Sequence, residues 1–168
     1  MRVRTPASIL AAALFVGVLT AGIGAAGSLN ADPAPTTAEW VSPDPDTEAL
    51  VDHRQGVMRA VSGHMAATAA ILLDGAPFEE NLQMHGSTLS ALLADIPALF
   101  PEGSAHEESD ARAEIWSDAD TFRSKADDTA EAAAALAAAT EGGDPSAMIQ
   151  AFSALGSSCG ACHEDFRN

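Results

Sequence analysis

The 168-residue chain has no tyrosine, two cysteines and only 5% aromatic residues. So little cysteine leaves no room for a disulfide framework or for a closed structural zinc site built on several thiolates. No stretch alternates apolar and polar residues as a half-buried strand does, and β-branched residues are few, which speaks against a sheet-based core. Positive charge is also scarce: 8 Lys and Arg stand against 24 Asp and Glu, for a net charge of −16. A surface this acidic repels phosphates, so nucleic acid and anionic lipid are poor partners, whereas proteins with basic docking patches are suitable ones. What the chain does have is alanine, a strong helix former, in long polar-apolar mixtures.

Arg2 and Arg4 precede an uncharged apolar run from Ile9 to Ala26, and small residues follow at Ala25, Ala26 and Gly27. This is the layout of an export signal over residues 1–27. The run is also long enough for an uncleaved membrane anchor through residues 9–26, and both readings stand. Either way the remaining chain lies outside the cytoplasm, with the positive end inside; in a bacterium that is the periplasm. Residues 28–46 carry four prolines among polar residues and read as an extended linker, with Trp40 inside it.

Four amphipathic segments follow in residues 47–168. The first starts near Asp46 or Thr47 and places Leu50, Val57, Met58, Val61, Met65, Ala69 and Leu72 on one face, ending at Gly75. The second runs from about Pro77 to Asp95, with Leu82, His85, Leu89, Leu92, Leu93 and Ile96 inward. The third runs from about Asp110 to Thr140, with Ile115, Trp116, Phe122, Ala126, Ala133 and Leu136 inward, and Gly142-Gly143 ends it. Asp144-Pro145 opens the fourth as a capping carboxylate followed by proline in the first turn. Its inner side reads Met148, Phe152, Leu155, Cys159, Cys162 and Phe166. Short connections between such helices predict an all-α, antiparallel up-down-up-down four-helix bundle.

The two cysteines sit in Cys159-Gly160-Ala161-Cys162-His163. This C-x-x-C-H pattern is that of covalent haem attachment. Residues three apart share a helix face, so both thiols reach one edge of a single porphyrin, and the next residue offers its imidazole to iron. A thioredoxin-like pair would follow a strand in a βαβ unit, and none is present; a zinc site would need further thiolate or imidazole ligands nearby, and none are found. One haem c held by Cys159 and Cys162, with His163 on iron, is the reading that remains. The haem also supplies apolar volume that this core otherwise lacks.

On the first helix, Arg54, Gln55 and Met58 share a face, being three and four residues apart. In an antiparallel bundle the first and fourth helices are neighbours, so Met58 can face the haem opposite His163. It either binds iron, giving a six-coordinate low-spin centre, or packs beside an open iron as an ordinary core methionine. A buried Arg54 needs an anion, and a haem propionate is one. Arg167 follows His163 by four residues and shares its face; a propionate partner, a screen on the proximal side and a favourable helix terminus are all compatible with it. His53, His64, His85 and His106 have no ligand-like placement.

These features together resemble the class II cytochromes c, that is, the cytochromes c′ and their low-spin c-556-type relatives, over residues 47–168. The resemblance rests on Arg54-Gln55-x-x-Met58, Glu114-Ile115-Trp116, and the C-terminal C-x-x-C-H followed by Phe166-Arg167. It implies a covalent haem on Cys159 and Cys162, propionate contacts from Arg54 and Gln55, Trp116 near the haem and Met58 over the distal face; monomer and homodimer both stay open. The family divides at the distal position. Low-spin members bind iron through this methionine and carry electrons; cytochromes c′ proper leave iron five-coordinate and bind nitric oxide or carbon monoxide. The stretch from Ile96 to Ser104 is more similar to the low-spin members. The expectation is therefore a non-enzymatic periplasmic electron carrier with His163 and Met58 on iron, the alternative being a five-coordinate gas-binding protein.

Overall fold

The computed structural model describes residues 47–168. The expected signal or anchor over 1–27 and the linker over 28–46 lie outside the described residues. Among those described there is no β-strand; four long helices form the bundle. They are α1 (Thr47–Leu72), α2 (Leu82–Leu93), α4 (Ala119–Gly142) and α5 (Pro145–Phe166), with a one-turn α3 (Glu114–Ser117) before α4. Two 3₁₀ turns, Glu79–Asn81 and Ile96–Leu99, flank α2.

The helix ends follow local chemistry. Gly75 reverses the chain after α1 at φ 72°, a conformation that costs glycine little. Gly143 does the same after α4 at φ 73°, and its amide closes on Ala139 O at 3.2 Å. At the start of α5, Asp144 accepts a hydrogen bond from the Ser146 amide at 3.0 Å and Pro145 occupies the first turn, as the sequence predicts.

Two expected helices are shorter than their apolar patterns. The second begins at Leu82, not Pro77, because Phe78 is non-helical (φ −136°, ψ 38°) and a 3₁₀ turn intervenes. The third is broken at Asp118 (φ −126°, ψ 53°) instead of running on from Asp110. Residues 110–112 have other partners: Arg112 N donates to Phe166 O at 3.0 Å and Asn168 N to Asp110 O at 2.9 Å, a short antiparallel bridge that ties this segment to the C-terminus. Helical periodicity is silent about such pairing, since it depends on a segment fifty residues away.

The core is one cluster around Leu89, Leu93, Ile96, Ile115, Phe122, Ala126, Ala133, Leu136, Leu155 and Phe166. Most of these are the predicted inward residues of α2, α4 and α5. A smaller cluster of Ile71, Leu82 and Met148 closes the far end. The buried face of α1 is rotated from the predicted one and reads Val51, Arg54, Val61, Thr68 and Ile71. Met58 and Met65 stay half-buried because they line a cavity between α1 and α5. Helix α4 packs extensively on α2 and α5, whereas α1 and α5 barely meet. The bundle is closed on three sides and spread on the fourth.

Gly86 marks a close approach of α2 to α4. A Cβ there would lie 2.7 Å from Thr140 Oγ1 and 3.2 Å from Ala137 Cα. Gly86→Ala gains about 1 kcal/mol of helix propensity but overpacks the contact at a cost of about 1–3 kcal/mol. The expected net result is a lower denaturant midpoint with an unchanged m-value.

His64 on α1 and His85 on α2 meet through their Nδ1 atoms at 2.8 Å. One ring must donate and the other accept, so the contact is lost when both are protonated. Burial first, and the neighbouring His64 second, hold His85 below its ordinary value of 6.5. Above that value both folded and unfolded chains leave His85 neutral; below it the unfolded chain takes the proton first. Stability is therefore full above pH 6.5 and declines as the pH falls towards the folded value. Unfolding midpoints measured on both sides of this window should differ less in His85→Gln than in the wild type.

Candidate functional site

The cavity between α1 and α5 has a volume of about 770 Å³. That is within the range of sites that enclose a cofactor-sized molecule. Cys159, Cys162 and His163 line one wall, at the C-terminal end of α5. Arg54, Gln55 and Met58 line the opposite wall, on α1. Arg167 stands at the rim. The fold thus brings together seven of the eight residues singled out in the sequence, although they lie a hundred residues apart.

Trp116 is the exception. It is not on the cavity wall. Its indole N–H donates to Phe100 O at 3.2 Å and to Pro101 O at 3.0 Å, so it holds the loop after α2 from behind. Its neighbour Ile115 faces the cavity instead.

The α5 wall is prepared for bonding to sulfur and nitrogen. Cys159 and Cys162 are free thiols, each half-buried on one helix face. Burial pushes both thiols above their ordinary value. Redox cysteines of the thioredoxin type need the opposite, a lowered value and a ready thiolate, so the environment argues against that chemistry. At His163, burial first and the positive Arg167 second favour the neutral imidazole, the form that binds metal. Lys125 on α4 fixes this wall. Its Nζ donates to Ala161 O at 2.9 Å, between the two cysteines, and pairs with Asp165 at 2.6 Å. The hydrogen bond it donates to Asp165 is the largest influence raising the lysine's pKa. Sequence reasoning passed over Lys125, although it is the only lysine in the chain.

The α1 wall is dominated by Arg54, which is 2% exposed. Its Nη1 donates to Ser104 O at 2.9 Å and Ser104 Oγ at 3.1 Å, and its Nη2 to Ser109 Oγ at 2.9 Å. The guanidinium also lies over the Phe100 ring, 5.1 Å from its centroid, a favourable cation–π placement. Among the described residues no carboxylate pairs with it. Burial accordingly lowers its pKa. Gln55 donates to Glu108 O at 3.0 Å, so both side chains grip the loop that follows α2. Phe100, Phe122 and Phe166 then continue edge to face, with centroids 5.3 and 5.2 Å apart. This aromatic row runs from the loop through α4 to α5 and forms the floor of the cavity.

These observations test whether a haem fits. The cavity has cofactor size, two thiols on one helix face with an imidazole directly after them, and, on another wall, a buried cation with no counter-anion among the described residues. Guanidinium has five N–H donors, and three contacts use them on neutral oxygens, so donors remain for a carboxylate. The residues fit the group: Cys159 and Cys162 for the thioethers, His163 for iron, and Arg54 for an acidic substituent.

A four-helix bundle with a C-x-x-C-H site at the end of its last helix defines a c-type haem protein. Residues 49–167 match the family model described as Cytochrome C′. Cytochrome c′ of Pararhodospirillum photometricum is 40% identical over 121 residues, covering 71% of this chain and 97% of that one. Cytochrome c-556 of Agrobacterium tumefaciens is 34% identical over 118 residues, covering 70% and 95%. Among solved structures, the nitric oxide complex of a cytochrome c prime variant from Alcaligenes xylosoxidans is 31% identical, with a TM-score of 0.68 over 73% of this chain and 97% of that one. The chain belongs to the cytochrome c′ family, the class II cytochromes c, and carries covalent haem c.

Replacing both Cys159 and Cys162 with alanine should leave haem extractable by acidified organic solvent, while the wild type retains it. Each single replacement should keep one thioether, seen as a pyridine haemochrome band intermediate between those of free and doubly linked haem.

Proposed function

We propose that the protein is an exported haem protein that binds a small neutral diatomic gas, with His163 on iron and the Met58 side open. When bound, the haem supplies an iron that cycles between ferrous and ferric states and has a position for a small ligand. The observation that carries the reading is the α1 side of the cavity. Met58, Val61, Met65, Leu93 and Ile96 make an apolar wall, and that wall holds no histidine or carboxylate to act on a bound ligand. An uncharged gas is the cargo such a wall admits without a desolvation penalty. The relatives support this reading over the electron carrier expected from sequence: the cytochrome c′ of P. photometricum has the higher identity of the two, and a structural relative is described in complex with nitric oxide.

The division of labour among the residues follows. Cys159 and Cys162 anchor the group to α5, and Lys125 keeps that turn against α4. Arg54 supplies positive charge to an acidic edge. Met58 and Val61 limit the size of what enters. The role is binding rather than catalysis. Export rests on the leader-like residues 1–27; among the described residues no helix is long and apolar enough to cross a membrane.

A second reading is favoured by one observation, that Met58 stands on the wall facing His163, and c-556 proteins are among the relatives. In it, Met58 binds iron and the protein carries electrons to partners with basic docking patches that suit a net charge of −16.

Optical spectra separate the two. Under the first reading the ferrous protein shows a broad high-spin spectrum and binds carbon monoxide. Met58→Ala then leaves the spectrum unchanged and raises the association rate roughly tenfold, equivalent to about 1.4 kcal/mol of barrier. Sharp split bands in the ferrous wild type, lost in Met58→Ala, would establish the electron carrier instead.

A further inference from the structure

Ser109 has a hydrogen-bonding state that its protein partners alone determine. Its Oγ receives Arg54 Nη2 at 2.9 Å and the Ala111 amide at 3.2 Å. Both of these groups can only donate, so both lone pairs of the hydroxyl are taken and its single proton must point elsewhere. No acceptor for that proton is found among the described residues. Ser109 lines the cavity, beside the guanidinium it orients. The other serine on Arg54 differs in its placement and in how many bonds its hydroxyl accepts. Ser104 is 1% exposed, is not on the cavity wall, and accepts one bond at its hydroxyl.

The two donors therefore converge. Arg54 keeps N–H groups beyond its three contacts, and its charge is uncancelled. Ser109 keeps one O–H on the same wall. An ionised carboxylate accepts several hydrogen bonds, and bonds to it from guanidinium and hydroxyl donors alike are stronger than neutral ones. We propose that Ser109 is a further haem-anchoring residue, its hydroxyl donating to the same haem carboxylate that takes the charge of Arg54. The Arg54–Ser109 pair, built from α1 and the loop before α3, then forms one carboxylate-binding unit, and Ser104 only orients it. This rests on covalent haem attachment and is independent of whether Met58 binds iron.

The test uses the holoprotein and its Ser109→Ala, Ser109→Thr and Ser104→Ala variants, read by the propionate-bending band in resonance Raman spectra and by the midpoint potential. Ser109→Ala should shift the band and lower the potential, because a less neutralised carboxylate favours ferric iron. Ser109→Thr keeps the hydroxyl and should match the wild type. Ser104→Ala also removes a hydroxyl acceptor from Arg54 but should leave the band in place. No shift in Ser109→Ala, or equal shifts in Ser109→Ala and Ser104→Ala, would overturn the assignment. In crystals of the wild-type holoprotein, Ser109 Oγ should lie within hydrogen-bonding distance of a haem carboxylate; a longer separation overturns it even where a variant fails to assemble. A wild type without covalent haem would defeat the haem reading itself, whereas intact haem with an unshifted band defeats this inference alone.

Discussion

A guanidinium at 2% exposure with no carboxylate paired to it among the described residues is costly, since removing an ion from water carries a penalty on the order of several kcal/mol. Arg54 is held by a carbonyl, two hydroxyls and an aromatic face, all neutral. These contacts satisfy hydrogen bonds without cancelling charge. They also shape the rest of the site, because every one of them comes from residues 100–109. That segment has little regular structure to hold it, and Arg54 and Gln55 on α1 draw it over the cavity. The carboxylate proposed to complete Arg54 belongs to the group that would fill the cavity.

The cavity in turn explains the bundle. A four-helix bundle normally buries each helix against two neighbours. Here α4 does most of that work, and α1 and α5 stand apart. The aromatic row of Phe100, Phe122 and Phe166 and the Lys125 clamp on Ala161 keep the opened side from collapsing. The C-terminus is pinned a second time by the bridge between residues 110–112 and 166–168. The attachment segment is thereby fixed from two directions, although it ends the chain, where helices ordinarily fray.

Function then depends on a small number of side chains. The α5 wall carries the two attachment cysteines and, directly after them, an imidazole suited to iron. The α1 wall combines a polar edge, where Arg54 and Ser109 meet, with an apolar face around Met58. Relatives named cytochrome c′ and cytochrome c-556 both match this scaffold.

Much of this was legible in the chain alone. The spacing of Cys159, Cys162 and His163 specified the chemistry, because helix geometry makes residues three apart neighbours whatever surrounds them. Asp144-Pro145 and Gly143 marked helix ends for equally local reasons. Leu89, Leu136 and Leu155 announced their burial through periodicity. The rotation of α1, the break at Asp118, the displacement of Trp116 from the cavity wall and the parts played by Lys125, Ser104 and Ser109 were not legible. Each depends on a partner 15 to 57 residues away, and no local period encodes such a meeting. Sequence by itself determined that haem is bound covalently, through the two cysteines of α5. Only the tertiary structure decided what faces it, because a long-range hydrogen bond exists only once two helices and a loop have been brought to the same cavity.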